Sequence, residues 1–387
     1  MHPEKIWVAQ SPLWNLGFRP FFLLGSILAA TFMALWLTFL SGLLRYTGFL
    51  PLPVWHAHEM IYGFTSAIIA GFVLTAIQNW SGMRGVHGRK LQGIVAVWLA
   101  ARVLMLAVHR PHWMVSVVDL SFYPLLGICI VPHLRDLELK LERVLLVFFS
   151  LLFFGNLLVH SEALGWISGY SRRGNLLGLY TAILLIVFMG GRVIPFFTES
   201  SIARAQPKKN PGVEAFSHLL TVCFLLSQFF LESTVWAAAV SFLTAGIHLA
   251  RLAGWYVRRI RRVPIIWILH LGYFSMVLGF LLSGFSNLGW VPAPLAIHAF
   301  TVGGLGMVIY GMMTRVSLGH TGRRLIPPKA VVIGYWLLAC ATVIRVFGPW
   351  ITVALNSVWI QISGILWIAA FVLFFISYGR ILIQPRH

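Results

Sequence analysis

The sequence predicts an all-α, polytopic membrane protein whose 387 residues form a single transmembrane domain, 1–387. Hydrophobic residues make up 59% of the chain, charged residues only 10%, and the mean hydropathy is +0.85. Apolar runs of about 20 residues, the length that crosses a bilayer as a helix, recur along the whole chain. Such a composition excludes an ordinary soluble domain.

We predict about twelve transmembrane helices. The connection 133–143 carries leucines at positions 134, 137 and 141, a stripe that predicts a short interfacial helix. The predicted spans cover residues 20–43, 54–78, 91–108, 114–132, 143–161, 175–197, 213–231, 234–253, 264–285, 293–314, 329–346 and 351–379.

The positions of the basic residues predict the orientation. Most of the 29 Lys and Arg residues lie in the N-terminus, the connections after even-numbered spans and the C-terminus. Because positive charge is retained inside, both termini are expected in the cytoplasm. The net charge of +19 and the pI of about 10.8 then require no nucleic-acid partner, and the cluster 258–262 is expected to anchor the inner face. The lipid bilayer is the predicted partner.

The cysteines narrow the choice of cofactors. Cys129, Cys223 and Cys340 lie singly inside predicted spans, and the sequence has neither Cys-x-x-Cys nor Cys-x-x-Cys-His. It therefore predicts no disulfide framework, no thiolate zinc site and no c-type haem attachment. Any haem would be held by side-chain ligands alone.

Predicted span 2 begins with ionisable residues. His56, His58 and Glu59 occupy its first turn, where such groups mark a functional site by default. On an ideal helix the two histidines point about 200° apart, so they are expected to serve different partners. Metal or haem ligation and a structural role both fit. Further along, Gly63 and Gly71 would let another helix, or a flat macrocycle, approach closely.

Predicted span 10 carries the second informative group. His298 lies near its outer end, at a depth similar to the histidines of span 2, so one cofactor could join them. The alternative is a histidine that hydrogen-bonds to a neighbouring helix. His270 and His320 are placed towards the inner face and suggest a second group of ligands there. The glycines at 303, 304, 306 and 311 are expected to clear room for a flat ligand.

Arginines and other histidines lie inside apolar spans. Arg192 follows two glycines and precedes Pro195, which predicts a broken helix and pairing of the guanidinium with an anion. Arg315 is a similar candidate, whereas Arg251 is expected to extend to the lipid headgroups. The solitary histidines at 160, 218 and 248 are assigned to structure. Few carboxylates occur in the spans, which argues against a proton-driven carrier.

Six motifs occur in order along the chain. They are GFRPFF (17–22), WHAHEM (55–60), GGRVIP (190–195), LHLGY (269–273), HAFTVG (298–303) and MTRVSLGHTGR (313–323). Together these motifs resemble the NnrS family of bacterial inner-membrane proteins. The resemblance extends from residue 17 to about 323 and implies a twelve-span protein that contains haem and copper and acts in nitric oxide metabolism and tolerance of nitrosative stress.

A looser resemblance is to the catalytic subunit of haem-copper oxidases and nitric oxide reductases. Those proteins also have twelve spans, with histidines near the outer ends of spans 2 and 10 holding a low-spin haem. The present chain departs from them because span 6 lacks a His-Pro-Glu motif, span 7 lacks a His-His pair and span 10 has one histidine. An oxidase-type binuclear centre is therefore not expected.

These resemblances lead to the following expectations. His58 and His298 are the predicted axial ligands of a b-type, non-covalent haem, with His56 and Glu59 as additional metal-binding groups. His270 and His320 would form an inner site for copper or a second haem. The predicted partners of the haem propionates are Arg192, Arg315 and Arg323.

The sequence is compatible with three classes of function. The first is a haem protein that binds, oxidises or reduces nitric oxide, and redox conversion would need an electron donor. The second is a transporter or exporter of a metal, haem or iron-nitrosyl species, with histidines along its path. The third is a structural or sensory membrane subunit.

Overall fold

A computed structural model describes residues 11–134 and 140–386, and these residues form helices and loops without any strand. The predicted interfacial helix of 133–143 extends into residues 135–139, which lie outside the described part. The helix that follows begins at Lys140.

The twelve predicted membrane helices are confirmed. Within the described residues, twelve helices are long and apolar enough to cross a membrane, and each corresponds to one predicted span. They are α1 (Phe18–Leu40), α2 (Leu52–Ser81), α3 (Gly88–Ala107), α4 (Trp113–His133), α5 (Val144–Ala163), α6 (Ser171–Ser201), α7 (Pro211–Phe230), α8 (Val235–Trp255), α9 (Pro264–Asn287), α10 (Ala293–His320), α11 (Lys329–Ile351) and α12 (Val353–Ile383).

Helices α2 and α10, which carry His56, His58 and His298, are the most buried of the described membrane helices. In α2 and α10, 78% of the most apolar window is buried, against 33% in α1 and α12. Helices with half or more of their surface uncovered can face lipid, whereas α2 and α10 must pack against protein on nearly every side. Polar groups on these two helices are therefore held inside the molecule.

Helices α2 and α10 each contain a π-helical segment directly after a histidine. Residues Glu59–Thr65 form the segment in α2, and Ala299–Gly306 form the segment in α10. In α2 the hydroxyls of Thr65 and Ser66 bond to carbonyls five residues earlier, at 2.8 and 2.9 Å, and so satisfy backbone oxygens of the widened turn. Single π-turns inside α-helices are frequent at functional sites.

Two expectations from the sequence are wrong, one about the glycines of α10 and one about a break in α6. A Cβ atom on Gly306 would lie 2.6 Å from Trp367, and one on Gly311 would lie 2.8 Å from Ile268, so these glycines allow close helix packing rather than clearing room for a ligand. Helix α6 is continuous through Arg192 and Pro195 instead of broken. Gly191 in this helix leaves the space into which Arg251 of α8 projects.

Candidate functional site

A largely apolar cavity of about 450 Å³ lies at the end of the bundle where α2, α6, α10 and α12 begin. This volume is within the range of about 300–1,000 Å³ that is usual for small-molecule and cofactor sites. Its polar groups are few. They include His56 from α2, His298 from α10, Arg172 and Asn175 from α6, and Arg345 from α11.

The two histidines of the cavity are each fixed by a neighbour. The ring of His56 stacks on Trp36 of α1, with centroids 4.2 Å apart and planes inclined by 18°. The Nδ1 atom of His298 donates to the Pro294 carbonyl at 2.6 Å. An imidazole that donates through Nδ1 to a backbone carbonyl presents Nε2 as its free lone pair, which is the usual arrangement in metal-binding histidines.

The two arginines of the cavity differ in their partners. Arg172 makes two hydrogen bonds to Glu232, at 2.8 and 2.5 Å, and this pairing holds the pKa of the Glu232 carboxyl below its ordinary value. Arg345 is half-buried and, within the described part of the chain, makes no ion pair or hydrogen bond. An unpaired guanidinium in an apolar cavity favours an anionic group on whatever binds there.

His58 points away from this cavity into a separate buried group. Its Nδ1 donates to Glu59 Oε1 at 3.0 Å, and its Nε2 lies 2.8 Å from Asn156 Oδ1. His56 therefore shares the cavity with His298, and the predicted pairing of His58 with His298 is corrected. The physical reason is the angle of about 200° between the two histidines, which permits only one of them to face the cavity.

The group around His58 joins four helices, and we call it the polar cluster. It consists of His58 and Glu59 from α2, Arg102 from α3, Asp119 from α4, and Asn156 and His160 from α5, and each of these residues is 3% exposed or less. Arg102 forms ion pairs with both carboxylates. His58, Asp119 and His160 offer ligand atoms that all lie within 4.8 Å of one another, a possible metal-binding site.

Most residues of this cluster are not among the site residues predicted from the sequence. His160 was assigned to structure, yet its Nε2 bonds to Asp119 Oδ2 at 2.8 Å. Asp119 was not singled out, although a carboxylate inside an apolar span is itself a sign of a functional site. Gly63 has its role here, because a Cβ atom at this position would lie 3.0 Å from both the Arg102 guanidinium and the Glu59 carboxylate.

The predicted inner histidines are not joined by any contact among the described residues. His270 bonds through Nδ1 to the Ile266 carbonyl of its own helix at 3.1 Å, and its Nε2 is buried without a partner. The His320 ring lies 5.6 Å from the ring of Phe18. The structure therefore places the two residues in different surroundings.

The three arginines predicted to bind propionates do not line the cavity. Arg192 is exposed above the Phe188 ring of its own helix. Arg315 is buried and bonds to the hydroxyls of Ser200 and Ser201, at 3.1 and 3.0 Å. Arg323 follows the C-terminal end of α10, the end opposite to His298. The arginines that line the cavity are Arg172 and Arg345.

Arg251 does not extend to the lipid headgroups as expected. Its side chain is buried and forms an ion pair with Glu214 of α7 and a 2.9 Å hydrogen bond to the Tyr273 hydroxyl. The same hydroxyl lies 2.6 Å from His248 Nδ1. These contacts join α7, α8 and α9 and explain why an arginine is retained inside the bundle.

The fold and these two sites define a polytopic helical membrane protein with a histidine-lined cavity and a possible His/Asp metal-binding site. A family model described as "NnrS protein" matches residues 12–386, nearly the whole chain. The chain belongs to the NnrS family, which confirms the resemblance seen in the sequence. A search of the curated proteins found no match.

Proposed function

We propose that the cavity binds a non-covalent b-type haem and that the protein acts on nitric oxide in protection against nitrosative stress. One observation carries the proposal. Two imidazoles from helices remote in sequence, and one guanidinium without an acidic partner, line a single apolar cavity. Haem combines an apolar ring, anionic propionates and an iron that accepts imidazole nitrogen, so these residues match it group by group.

His56 and His298 would hold the iron, and Arg345 would pair with a propionate. Trp36 fixes the plane of the His56 ring, and the Pro294 carbonyl fixes the tautomer of His298. None of the three cysteines, all in the described part, lines the cavity, so no thioether link is available there. A bound haem would supply an iron that could hold a diatomic gas in place of one of the two imidazoles, with a reactivity set by the protein groups around it.

The remaining side chains of the cavity exclude water. Phe64, Leu179, Val302 and Leu305 contribute apolar surface from α2, α6 and α10. Nitric oxide is a small apolar molecule and would reach such a cavity through the lipid phase without a polar channel. The family membership supports this choice of ligand, and conversion of nitric oxide in place of simple binding would need an electron donor.

The family and the distribution of basic residues support a location in the bacterial inner membrane with both termini in the cytoplasm. Copper stays a prediction from the family. Among the described residues, His56 and His298 are the imidazoles that line the cavity, and the haem proposal uses both of them.

Absorption spectroscopy of the purified full-length protein tests the haem proposal. We expect a Soret band in the wild type and a loss of haem content by at least about tenfold in His56→Ala and in His298→Ala. His218→Ala is the matched control, because His218 bonds to the Glu214 carbonyl of its own helix and does not line the cavity. Unchanged haem content in both cavity variants would exclude this site.

A second measurement tests the nitric oxide role. Addition of nitric oxide should shift the Soret band of the wild type, and His298→Ala should fail to restore nitric oxide resistance to cells that lack the protein. A haem-loaded protein whose spectrum does not respond would contradict the proposal. Colourless protein that moves a metal or haem into vesicles would instead support the exporter alternative.

A further inference from the structure

The polar cluster lies on the face of α2 opposite to the haem cavity, and the proposed haem uses none of its residues. Its members come from four helices, and all of them are buried inside membrane-spanning segments. Ionisable groups in such a position are costly and normally mark a functional site. We propose that His58, Asp119 and His160 bind one divalent transition-metal ion.

The spacing of the donor atoms fits a metal ion. Asp119 Oδ2 lies 2.8 Å from His160 Nε2 and 3.2 Å from His58 Nε2. Two ligands that are each about 2.0–2.2 Å from one ion, at angles between 90° and 110°, are about 2.8–3.6 Å apart. Both distances from Asp119 Oδ2 match this spacing, and all three donor atoms lie within 4.8 Å of one another.

The neighbours of these side chains hold them in the required orientation. His58 Nδ1 donates to Glu59 Oε1, so Nε2 is the nitrogen that faces Asp119. A histidine that donates its other ring N–H to a carboxylate is the usual support of a protein metal site. Asn156 Oδ1 lies 2.8 Å from the same Nε2 atom and provides a further oxygen at this point.

The charges of the cluster also favour a cation. Glu59 and Asp119 are two carboxylates, whereas Arg102 is one guanidinium, so with neutral imidazoles the cluster has one net negative charge. This net charge attracts a cation, and a divalent ion would change the net charge of the cluster from −1 to +1. Among the described residues, Glu59 Oε2 is moreover buried without a hydrogen-bond partner.

The chemistry of the donors limits which ions would bind. Two imidazole nitrogens and one carboxylate oxygen suit Fe(II), Cu(II) and Zn(II). The absence of sulfur ligands among these residues disfavours Cu(I), and the two imidazoles disfavour magnesium and calcium. None of the three proposed metal ligands is a proposed haem ligand. The metal site can therefore be tested whether or not the cavity holds haem.

Metal retention by the full-length protein tests the site. Detergent-purified protein is stripped with a chelator, loaded separately with Fe(II) under anaerobic conditions, Cu(II) or Zn(II), passed over a desalting column and assayed for metal. We expect the wild type to retain one equivalent of at least one of these ions. Asp119→Asn and His160→Ala should each bind it at least about tenfold more weakly.

Two controls separate this proposal from the haem proposal and from misfolding. His298→Ala should lose haem but keep the metal, and His218→Ala should keep both. Elution as a monodisperse peak shows that a variant is folded. For a variant that fails to fold, Cu(II)-loaded His298→Ala provides a second measurement, because its electron paramagnetic resonance spectrum should still show coupling to two imidazole nitrogens although the cavity has lost one of its own.

The proposal is overturned if the stripped wild type retains none of the three ions. It is also overturned if folded Asp119→Asn and His160→Ala bind the metal as tightly as the wild type does, or if Cu(II) bound to His298→Ala does not couple to two imidazole nitrogens. Loss of the metal in His298→Ala but not in His160→Ala would place the metal in the cavity instead.

Discussion

The substitution Arg102→Met gives the sharpest test of how the polar cluster is stabilised. Arg102 is 2% exposed, lies 3.0 Å from Glu59 Oε1 and also pairs with Asp119. Methionine keeps the apolar stem but removes the charge, so two carboxylates would stay buried without a compensating cation. Removal of one partner from a buried ion pair costs about 3–5 kcal/mol.

The comparison is with an ion pair that water can reach. In the pair of Arg172 and Glu232 the two side chains are 55% and 34% exposed. Pairs of this kind contribute about 0–1 kcal/mol, because solvent screens the charges and hydrates each of them alone. Arg172→Met should therefore cost at least about threefold less than Arg102→Met.

The assay is unfolding of the chelator-treated, full-length protein in mixed micelles of rising denaturing-detergent content, followed by tryptophan fluorescence. A third variant adds Glu59→Gln to Arg102→Met and should recover part of the loss, since it removes one of the two uncompensated charges. If Arg102→Met lowers the free energy of unfolding by less than about 1 kcal/mol, or by no more than Arg172→Met does, the cluster is not held together by this charge balance.

Two further predictions use the same assay. Gly306→Ala should lower stability by about 1–3 kcal/mol, because the new Cβ meets the Trp367 ring and that ring is held by a hydrogen bond to a carbonyl of α1. Gly246→Ala, with no neighbour within 4 Å, should instead raise stability by up to about 1 kcal/mol, and equal effects would contradict the packing argument. Glu232→Gln should remove a pH dependence of the free energy of unfolding. Because Arg172 lowers the folded-state pKa of Glu232, the wild type should be more stable than this variant above pH 4.5, the ordinary carboxyl pKa. This advantage should disappear as the pH falls through the lowered pKa, and a constant difference across acidic pH would refute it.

The helices were predictable from the sequence, whereas the partners of single side chains were only partly so. Twelve long apolar runs and alternating basic connections leave little freedom in the number of spans. The angle between His56 and His58 correctly indicated that they face different partners. Which of them faces His298 depends on the tertiary contacts of α2, and no pattern along the chain records those contacts.

The polar cluster likewise depends on tertiary contacts that the sequence pattern does not record. Arg102 and Asp119 lie on different predicted spans, and the sequence pattern alone pairs neither of them with a partner. Only the packing of α3 against α4 brings them together. A stricter use of the rule that charges inside a membrane must be paired would have linked them, because few carboxylates exist in the spans to partner an arginine.

The π-helical segment of α2 determines how the cavity and the polar cluster are aligned with the rest of the bundle. Each residue of a helix advances the chain by about 100° around its axis. A wide turn takes up one more residue than an α-helical turn does, so relaxation of Glu59–Thr65 to α-helical geometry with all its residues kept would rotate the histidine-bearing end by about that angle against the remainder of α2. His56 and His58 would then both lose their partners at once, although neither residue had been changed. The length of this one wide turn thus sets the alignment of both sites.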